Sequence, residues 1–332
     1  MKKVVVTGAS GFLGFALTQA LVQQGVKVVC LCRTCPPALQ ALGIEWHAVD
    51  LANQPVASEL LVGAEVIFHV AALTGLAGPA KRYWPTNVDG TTKVLAAAEA
   101  AGVTRLVYTS SPSAVFDAKP HQMADESLPY PPSHLSGYAA SKAAAEQLVL
   151  NANSKQLRTV ALRPHLIVGE NDTQIIPFLI ERARSGRLVK VGAGKNLVSL
   201  TYIDNAVHAH LDAAQALLER SECRGKTYFI NQQTPVNLWD WVETLLQALG
   251  EPVPSRQLSS RSAYALATIL EVIFGLLPDS VGDPPLNRFL VKQFSVDHYY
   301  DISAAKRDIG YSERVSIEEA THKIVQAFKA RA

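Results

Sequence analysis

The chain has 332 residues, 48% of them hydrophobic and 18% charged, enough apolar material for about two packed domains and too little charge for a disordered chain. Lys and Arg number 31 against 29 Asp and Glu, a net charge of +2, which excludes the basic footprint of a nucleic-acid binder or a block able to grip anionic lipid. Val4-Val5-Val6 then opens the chain as a strand. It is too short for the apolar core of a secretory leader, and the chain has only 4 cysteines, so the expected compartment is the reducing cytoplasm. Residues 12–24 read as a helix, with Leu13, Leu17, Ala20 and Leu21 on one face, and residues 26–31 as a second strand. Further strands are expected at 66–70, 105–108 and 158–162, with helices at 88–101 and 138–151 between them. Continuous apolar strands alternating with helices predict an α/β fold, a doubly wound parallel sheet covered on both faces.

After Pro164 the rhythm loosens. Helices are expected at 177–185 and 239–249, a strand edge and helix over 201–218, a Pro/Ser-rich connector at 252–260 and an amphipathic helix at 316–330. The most apolar stretch, 263–277, is interrupted by Glu271, ends at Pro278 and falls short of the ~20 residues that span a bilayer. It reads as core of a small lobe, as the lining of a hydrocarbon pocket, or as a contact with a membrane surface or partner enzyme. The division that follows gives 1–168 to a dinucleotide-binding domain, with returning segments near 200–230 and 297–303. Residues 169–199 and 231–332 form mainly a substrate lobe.

Thr7-Gly8-Ala9-Ser10-Gly11-Phe12-Leu13-Gly14 joins the first strand directly to the first helix. Gly8 permits a tight turn, Gly11 lets backbone approach a pyrophosphate, and Gly14 allows close helix–sheet packing at a helix N-terminus rich in free N–H groups. At the end of the second strand Cys32 stands where an NAD-binding protein usually carries an acid, and Arg33 follows. Arg33 suits a 2′-phosphate, which favours NADP(H) over NAD(H), or else it is a solvated surface arginine. Asp50-Leu51, after the third strand, is placed to face the adenine. Cys30, Cys32 and Cys35 lack the further ligands of a tetrahedral metal site and read as small buried hydrophobes.

Tyr138-Ala139-Ala140-Ser141-Lys142 puts a phenol and an ammonium one helical turn apart on a shared face. A neighbouring cation favours the phenolate, so Lys142 is expected to lower the pKa of Tyr138 toward the working range. The spacing alone is common by chance. Its context adds a strand ending in Tyr108-Thr109-Ser110-Ser111, a source of a donor for a carbonyl, and His69-Val70-Ala71-Ala72, whose small residues admit a cofactor.

In order along the chain, TGASGFLG, DL, HVAA, NVDGTT, YTSS, YAASK and LRPHLIVGEND resemble the extended short-chain dehydrogenase/reductases, from Thr7 to about Tyr311. The resemblance implies a Rossmann domain with a small C-terminal lobe, and Ser111, Tyr138 and Lys142 as the catalytic set. The cofactor set it implies comprises Gly8, Ser10, Gly11, Phe12, Leu13, Gly14, Arg33, Asp50, Leu51, Ala71, Ala72, Pro164 and Ile167, with Tyr138 and Lys142 shared. Trp84, Ser113 and His165 are candidate substrate residues, Trp84 either as a wall or as half of a packed pair with Tyr83. Sugar-nucleotide epimerases and dehydratases of this family usually carry an Asn where Leu166 stands. Arg163-Pro164-His165-Leu166-Ile167-Val168-Gly169 is instead similar to the 3β-hydroxysteroid dehydrogenase branch, and within it to bacterial 2-alkyl-3-oxoalkanoate reductases of olefin biosynthesis. That likeness implies NADP(H)-dependent reduction of a ketone on an apolar small molecule, and a homodimer. A 3β-hydroxysteroid or sterol dehydrogenase, a sugar-nucleotide enzyme and a non-catalytic dinucleotide-sensing regulator are the other readings.

Overall fold

Runs rich in β-branched residues alternate with helical runs. In chain order they give β1 (Lys3–Thr7), α1 (Phe12–Gln23), β2 (Lys27–Cys32), α2 (Pro37–Gln40), β3 (Glu45–Ala48), β4 (Val66–His69), α3 (Ala80–Trp84), α4 (Gly90–Ala100), β5 (Arg105–Thr109), β6 (His121–Ala124), α5 (Gly137–Asn151) and β7 (Arg158–Pro164). Next come β8 (Ile167–Val168), α6 (Ile175–Arg184), β9 (Lys190–Val191), β10 (Leu197–Val198), β11 (Thr201–Tyr202), α7 (Ile203–Glu219), β12 (Lys226–Ile230), β13 (Val236–Asn237) and α8 (Leu238–Leu249). The chain finishes with β14 (Gln257–Leu258), α9 (Ser260–Gly275), α10 (Arg288–Ser295), β15 (His298–Tyr300), α11 (Ser303–Ile309) and α12 (Ile317–Lys329). The computed structural model describes residues 1–75, 77–277 and 282–330.

Seven strands form one parallel sheet in the order β12-β7-β5-β4-β1-β2-β3. Side chains alternate across it with period two. Val4, Val6, Val28, Cys30, Val66 and Phe68 enter one core with Leu13, Leu17 and Leu21 of α1 and Ala206, Ala209 and Ala213 of α7. Val5, Val29, Leu31, Ile67 and Leu106 enter a second core with Val94 and Ala97 of α4 and Ala145 and Val149 of α5. Burial on both faces explains why the strands read as unbroken apolar runs. The strand order reverses between β1 and β4, so the crevice for a ligand opens there, at the carboxyl ends of the strands.

A second sheet, β13-β10-β15-β6, builds the small lobe. β15 pairs with β6, from within residues 1–168, and with β10, and there Tyr300 stacks on Phe229 of β12 and His298 meets Phe116 edge-on. The connector at 252–260 contains β14, paired with β9. Two-residue strands carry no hydrophobic period to read, so their sequence gives no notice of them.

The apolar stretch 263–277 is α9 and the two residues beyond it. Ala263 and Ala267 are buried, whereas Leu266, Ile269, Val272, Ile273 and Leu276 are exposed. The helix is thus packed on one side only, and none of its residues lines the cavity that holds Tyr138. Pro278 lies outside the described residues. Among those described, no helix is long and apolar enough to cross a membrane.

Candidate active site

The turn after β1 is fixed by close backbone approach. Gly8 has φ +71°, and a Cβ there would lie 2.6 Å from Ala71 Cα. A Cβ on Gly14 would collide with the Gly8 carbonyl, so only glycine lets α1 sit against the turn. Thr7 Oγ1 bonds His69 Nδ1 at 2.7 Å and accepts from the Ala71 N–H at 3.1 Å, while His69 Nε2 meets Thr91 Oγ1 at 2.9 Å. This network ties the end of β1 to the end of β4. At the N-terminus of α1 the capping residue is Gly11, with no side-chain cap, so the first-turn N–H groups are left to face an anion.

The glycines border a cavity of about 240 Å³ lined also by Ser10, Phe12, Leu13, Cys32, Arg33, Asp50, Leu51, Ala71 and Ala72. Arg33 is exposed at its rim. Asp50 accepts from Asn53 Nδ2 at 2.8 Å and from the Ala52 N–H at 3.0 Å, and these bonds hold its carboxyl below the usual range. Cys32 Sγ is spent on the Thr34 carbonyl at 3.1 Å. The groove thus offers a glycine cradle and helix N-terminus for phosphates, small walls, and a guanidinium but no acid at the end of β2. Those features fit a dinucleotide.

A second cavity of about 260 Å³ shares Phe12, Leu13, Val70, Thr74 and Gln174 with the first, so the two form one groove. It is lined by Ser111, Ser113, Tyr138, Pro164, His165 and Ile167, together with Ser110, Leu166, Phe289 and Tyr300. Ser111 ends the run from β5 in extended backbone, and its hydroxyl accepts from the Ser113 N–H at 3.2 Å. Tyr138 lies in the first turn of α5, whose cap, Ser136, accepts from the Tyr138 N–H at 3.2 Å. Asn87 pins this end of α5 to the loop after β4. Its Nδ2 donates to the Leu73 carbonyl at 3.0 Å and to Ser141 Oγ at 2.9 Å, and Ser141 donates in turn to the Tyr138 carbonyl. Tyr83 packs edge-on against the Tyr138 ring, centroids 5.9 Å apart.

Burial pushes the Tyr138 phenol up to about 12, with the Ser111 hydrogen bond opposing and Tyr83 reinforcing. Burial takes Lys142 down to about 7 against the pull of Glu146. Lys142 Nζ donates to Tyr108 Oη at 2.8 Å and to the Thr109 carbonyl at 2.6 Å. The expectation that Lys142 lowers the Tyr138 phenol is therefore not met. The amine is 2% exposed and aimed at β5 rather than at the phenol, and desolvation weakens its charge. Trp84 also departs from expectation. It is 40% exposed at the end of α3 and lines neither cavity, because its neighbour Tyr83 takes the buried place beside Tyr138.

Below the site, Glu146 receives Arg163 Nε at 2.9 Å, Arg163 Nη2 at 2.6 Å and Tyr130 Oη at 2.6 Å, all out of solvent contact at the carboxylate. Beside Ser111 the cavity takes in Ser110 of the same hydroxyl run, whose buried hydroxyl has no partner, and sequence reasoning missed Thr74, Gln174, Phe289, Gln293 and Tyr300. They reach the cavity from separate segments, and no local spacing connects them.

A hydroxyl and a phenol converging beside a dinucleotide groove is the arrangement of a short-chain dehydrogenase/reductase, and known proteins agree. The model of the 3-beta hydroxysteroid dehydrogenase/isomerase family matches residues 5–260, so the chain belongs to that family and is an oxidoreductase. The 2-alkyl-3-oxoalkanoate reductase of Stenotrophomonas maltophilia is 44% identical over 326 residues, 97% of this chain and 98% of that protein. The decarboxylating sterol-4-alpha-carboxylate 3-dehydrogenase of Mus musculus is 31% identical over 98% of this chain and 91% of its own. Among solved structures, the UDP-glucuronic acid 4-epimerase of Bacillus cereus in complex with NAD superposes with a TM-score of 0.74 at 22% identity, covering 99% of both chains, a likeness of fold.

Proposed function

We propose that this oxidoreductase uses NADPH to reduce the ketone of a 2-alkyl-3-oxoalkanoate to the 3-hydroxy acid. The observation that carries the reading is the placing of Ser111 and Tyr138 in a largely apolar cavity continuous with the glycine cradle. The full-length likeness to a reductase of that name supports the substrate class. Arg33 at the rim of the cavity, with Cys32 in the place of an acid, supports NADPH. A charge-assisted bond to a 2′-phosphate is worth ~1.5–3 kcal/mol, or about ten- to a hundredfold in preference.

When bound, the reduced nicotinamide supplies the hydride for the carbonyl carbon. The protein supplies position and a proton. Tyr138, protonated throughout the neutral range, gives its phenolic proton to the carbonyl oxygen as negative charge develops there. Ser111 donates a hydrogen bond to the same oxygen and stabilises that charge. Phe12, Leu13, Val70, Leu166, Ile175 and Phe289 surround the alkyl part and exclude water.

The test is NADPH and NADH oxidation with a panel of 2-alkyl-3-oxo acids, 3-oxosteroids and UDP-sugars. Preferential turnover of the oxo acids with NADPH is expected. Conversion of UDP-sugars, or no oxidation with any oxo acid, would overturn the reading. In the same assay Arg33→Ser should lower the NADPH-over-NADH preference by about ten- to a hundredfold.

A further inference from the structure

His165 directly follows β7, is 5% exposed, and lines the cavity that holds Ser111 and Tyr138. Its ring belongs to a chain of hydrogen bonds whose direction is fixed at the far end. The Gln293 carbonyl can only accept, so His298 Nε2, 2.7 Å from it, carries a hydrogen. A neutral His298 then keeps its lone pair on Nδ1, which accepts from His165 Nε2 at 2.8 Å. A neutral His165 is left with its own lone pair on Nδ1, and that buried atom has no partner.

Its setting is built rather than slack. Thr201 Oγ1 accepts from the His165 N–H at 3.1 Å and donates to the His165 carbonyl at 2.7 Å. The next residue, Leu166, is held at φ +43°, in the left-handed region that a leucine seldom adopts. His165, with its unpaired nitrogen out of solvent contact, and the strained Leu166 line the same cavity as Ser111 and Tyr138.

The charge inventory of the cavity is one-sided. No lysine or arginine is among its described lining residues, and His165 is the only basic side chain there. Its one carboxylate, Asp172, is occupied by the N–H groups of Gln174, Ile175 and Ile176 at the start of α6. A carboxylate brought into such a cavity needs a cation or a proton.

We propose that His165 is the carboxylate subsite of the enzyme, taking a proton on Nδ1 as the acid binds, so that imidazolium and carboxylate enter as a pair. The proposal rests on the oxo-acid reading above. The balance is one solvent proton taken up with each carboxylate and returned on its release. Nε2 keeps its hydrogen throughout, and His298 and the Gln293 carbonyl hold the ring in place; His298 is a positioning residue. The ionisable groups around the ring are His298 and Tyr300 from β15, His121 from β6 with Asp117 on its Nε2, Tyr138 from α5, and Asp172. Burial, His298 and His121 hold free His165 well below the ordinary imidazole range, so it is neutral at pH 7 until an anion arrives.

The test is calorimetric binding of decanoate, with decanamide as the uncharged control, to the protein saturated with NADP⁺ at pH 7.5, in two buffers of different ionisation heat. About one proton taken up per decanoate is expected, with none for decanamide. Decanoate affinity should fall as pH rises above 7, while decanamide affinity stays level. His165→Gln should abolish the proton uptake and leave decanamide binding in place. Absence of decanoate binding, binding without proton uptake, or uptake that survives in His165→Gln would each overturn the proposal. If that variant does not fold, His165→Asn takes its place, and uptake that survives there overturns the proposal, since decanoate bound as the neutral acid would also take up one proton. Failure of the substrate reading would show separately, as no turnover of oxo acids.

Discussion

A buried phenol is a proton donor, not a base. With Tyr138 pushed up to about 12, the neutral form dominates at every working pH, which suits delivery of a proton to a ketone oxygen. Tyr138→Phe keeps the ring against Tyr83 and removes only the proton, so turnover should fall at least ~10²-fold while NADPH binding, followed by fluorescence titration, changes little. Lys142 has space for one compact amine that can shed charge between Tyr108 and Thr109. Lys142→Arg, larger and permanently charged, should therefore fail to fit there, and thermal unfolding should come at a clearly lower temperature than in the parent protein. At the cradle, Gly8→Ala meets both a left-handed backbone, about 1–2 kcal/mol, and the Ala71 main chain. Dinucleotide affinity should drop well beyond the loss in thermal stability, since the turn itself is the binding surface.

At the scale of elements, α5 is the hinge of the site. Its first turn carries Tyr138, its second Lys142 and its third Glu146, which locks the helix to β7 through Arg163. Neither partner of that pair is near water, so Glu146→Gln strands a buried guanidinium. The expected cost is about 3–5 kcal/mol in denaturant unfolding, with a smaller cost when Arg163 is replaced by Met at the same time. The helix was legible because its i,i+4 spacing is local. The short strands outside the large sheet were not, because each is held by partners far along the chain: β6 with β15, and β9 with β14. α9 shows the same limit from the other side. Its composition left core, pocket lining and a membrane or partner contact open, and the packing buries Ala263 and Ala267 while Leu266, Ile269, Val272 and Ile273 stay exposed.

For the whole molecule, neutral buried histidines set the acid limit of stability. Burial takes His69 down to about 3 and His210 and His298 to about 4, and holds His165 well down too. Above pH ~6.5 these rings are neutral folded or unfolded and do not affect the balance. Below it the unfolded chain binds protons that the folded chain refuses, so stability falls as pH drops from about 6.5 toward 4. Thermal stability should therefore decline steeply below pH 6.5, and above pH 7 it should still rise with pH, because Lys142, held down to about 7, is neutral there only in the folded chain. His210→Gln, which removes one such ring from the contact between α7 and Thr109, should make that decline shallower.

What the sequence determined by itself is what is contiguous. A glycine turn between strand and helix, a Tyr and Lys one turn apart, and apolar strands spaced by helices are each written within some twenty residues, and local geometry forces their meaning. What only the tertiary structure decided is where groups from distant segments end up facing. Lys142 addresses Tyr108 and Thr109 rather than Tyr138, Trp84 yields its place to Tyr83, and His165 meets His298 from 133 residues away. The physical reason is desolvation. Inside the folded chain most buried polar groups take whichever partner packing brings within about 3 Å, and that choice is made by all the elements together.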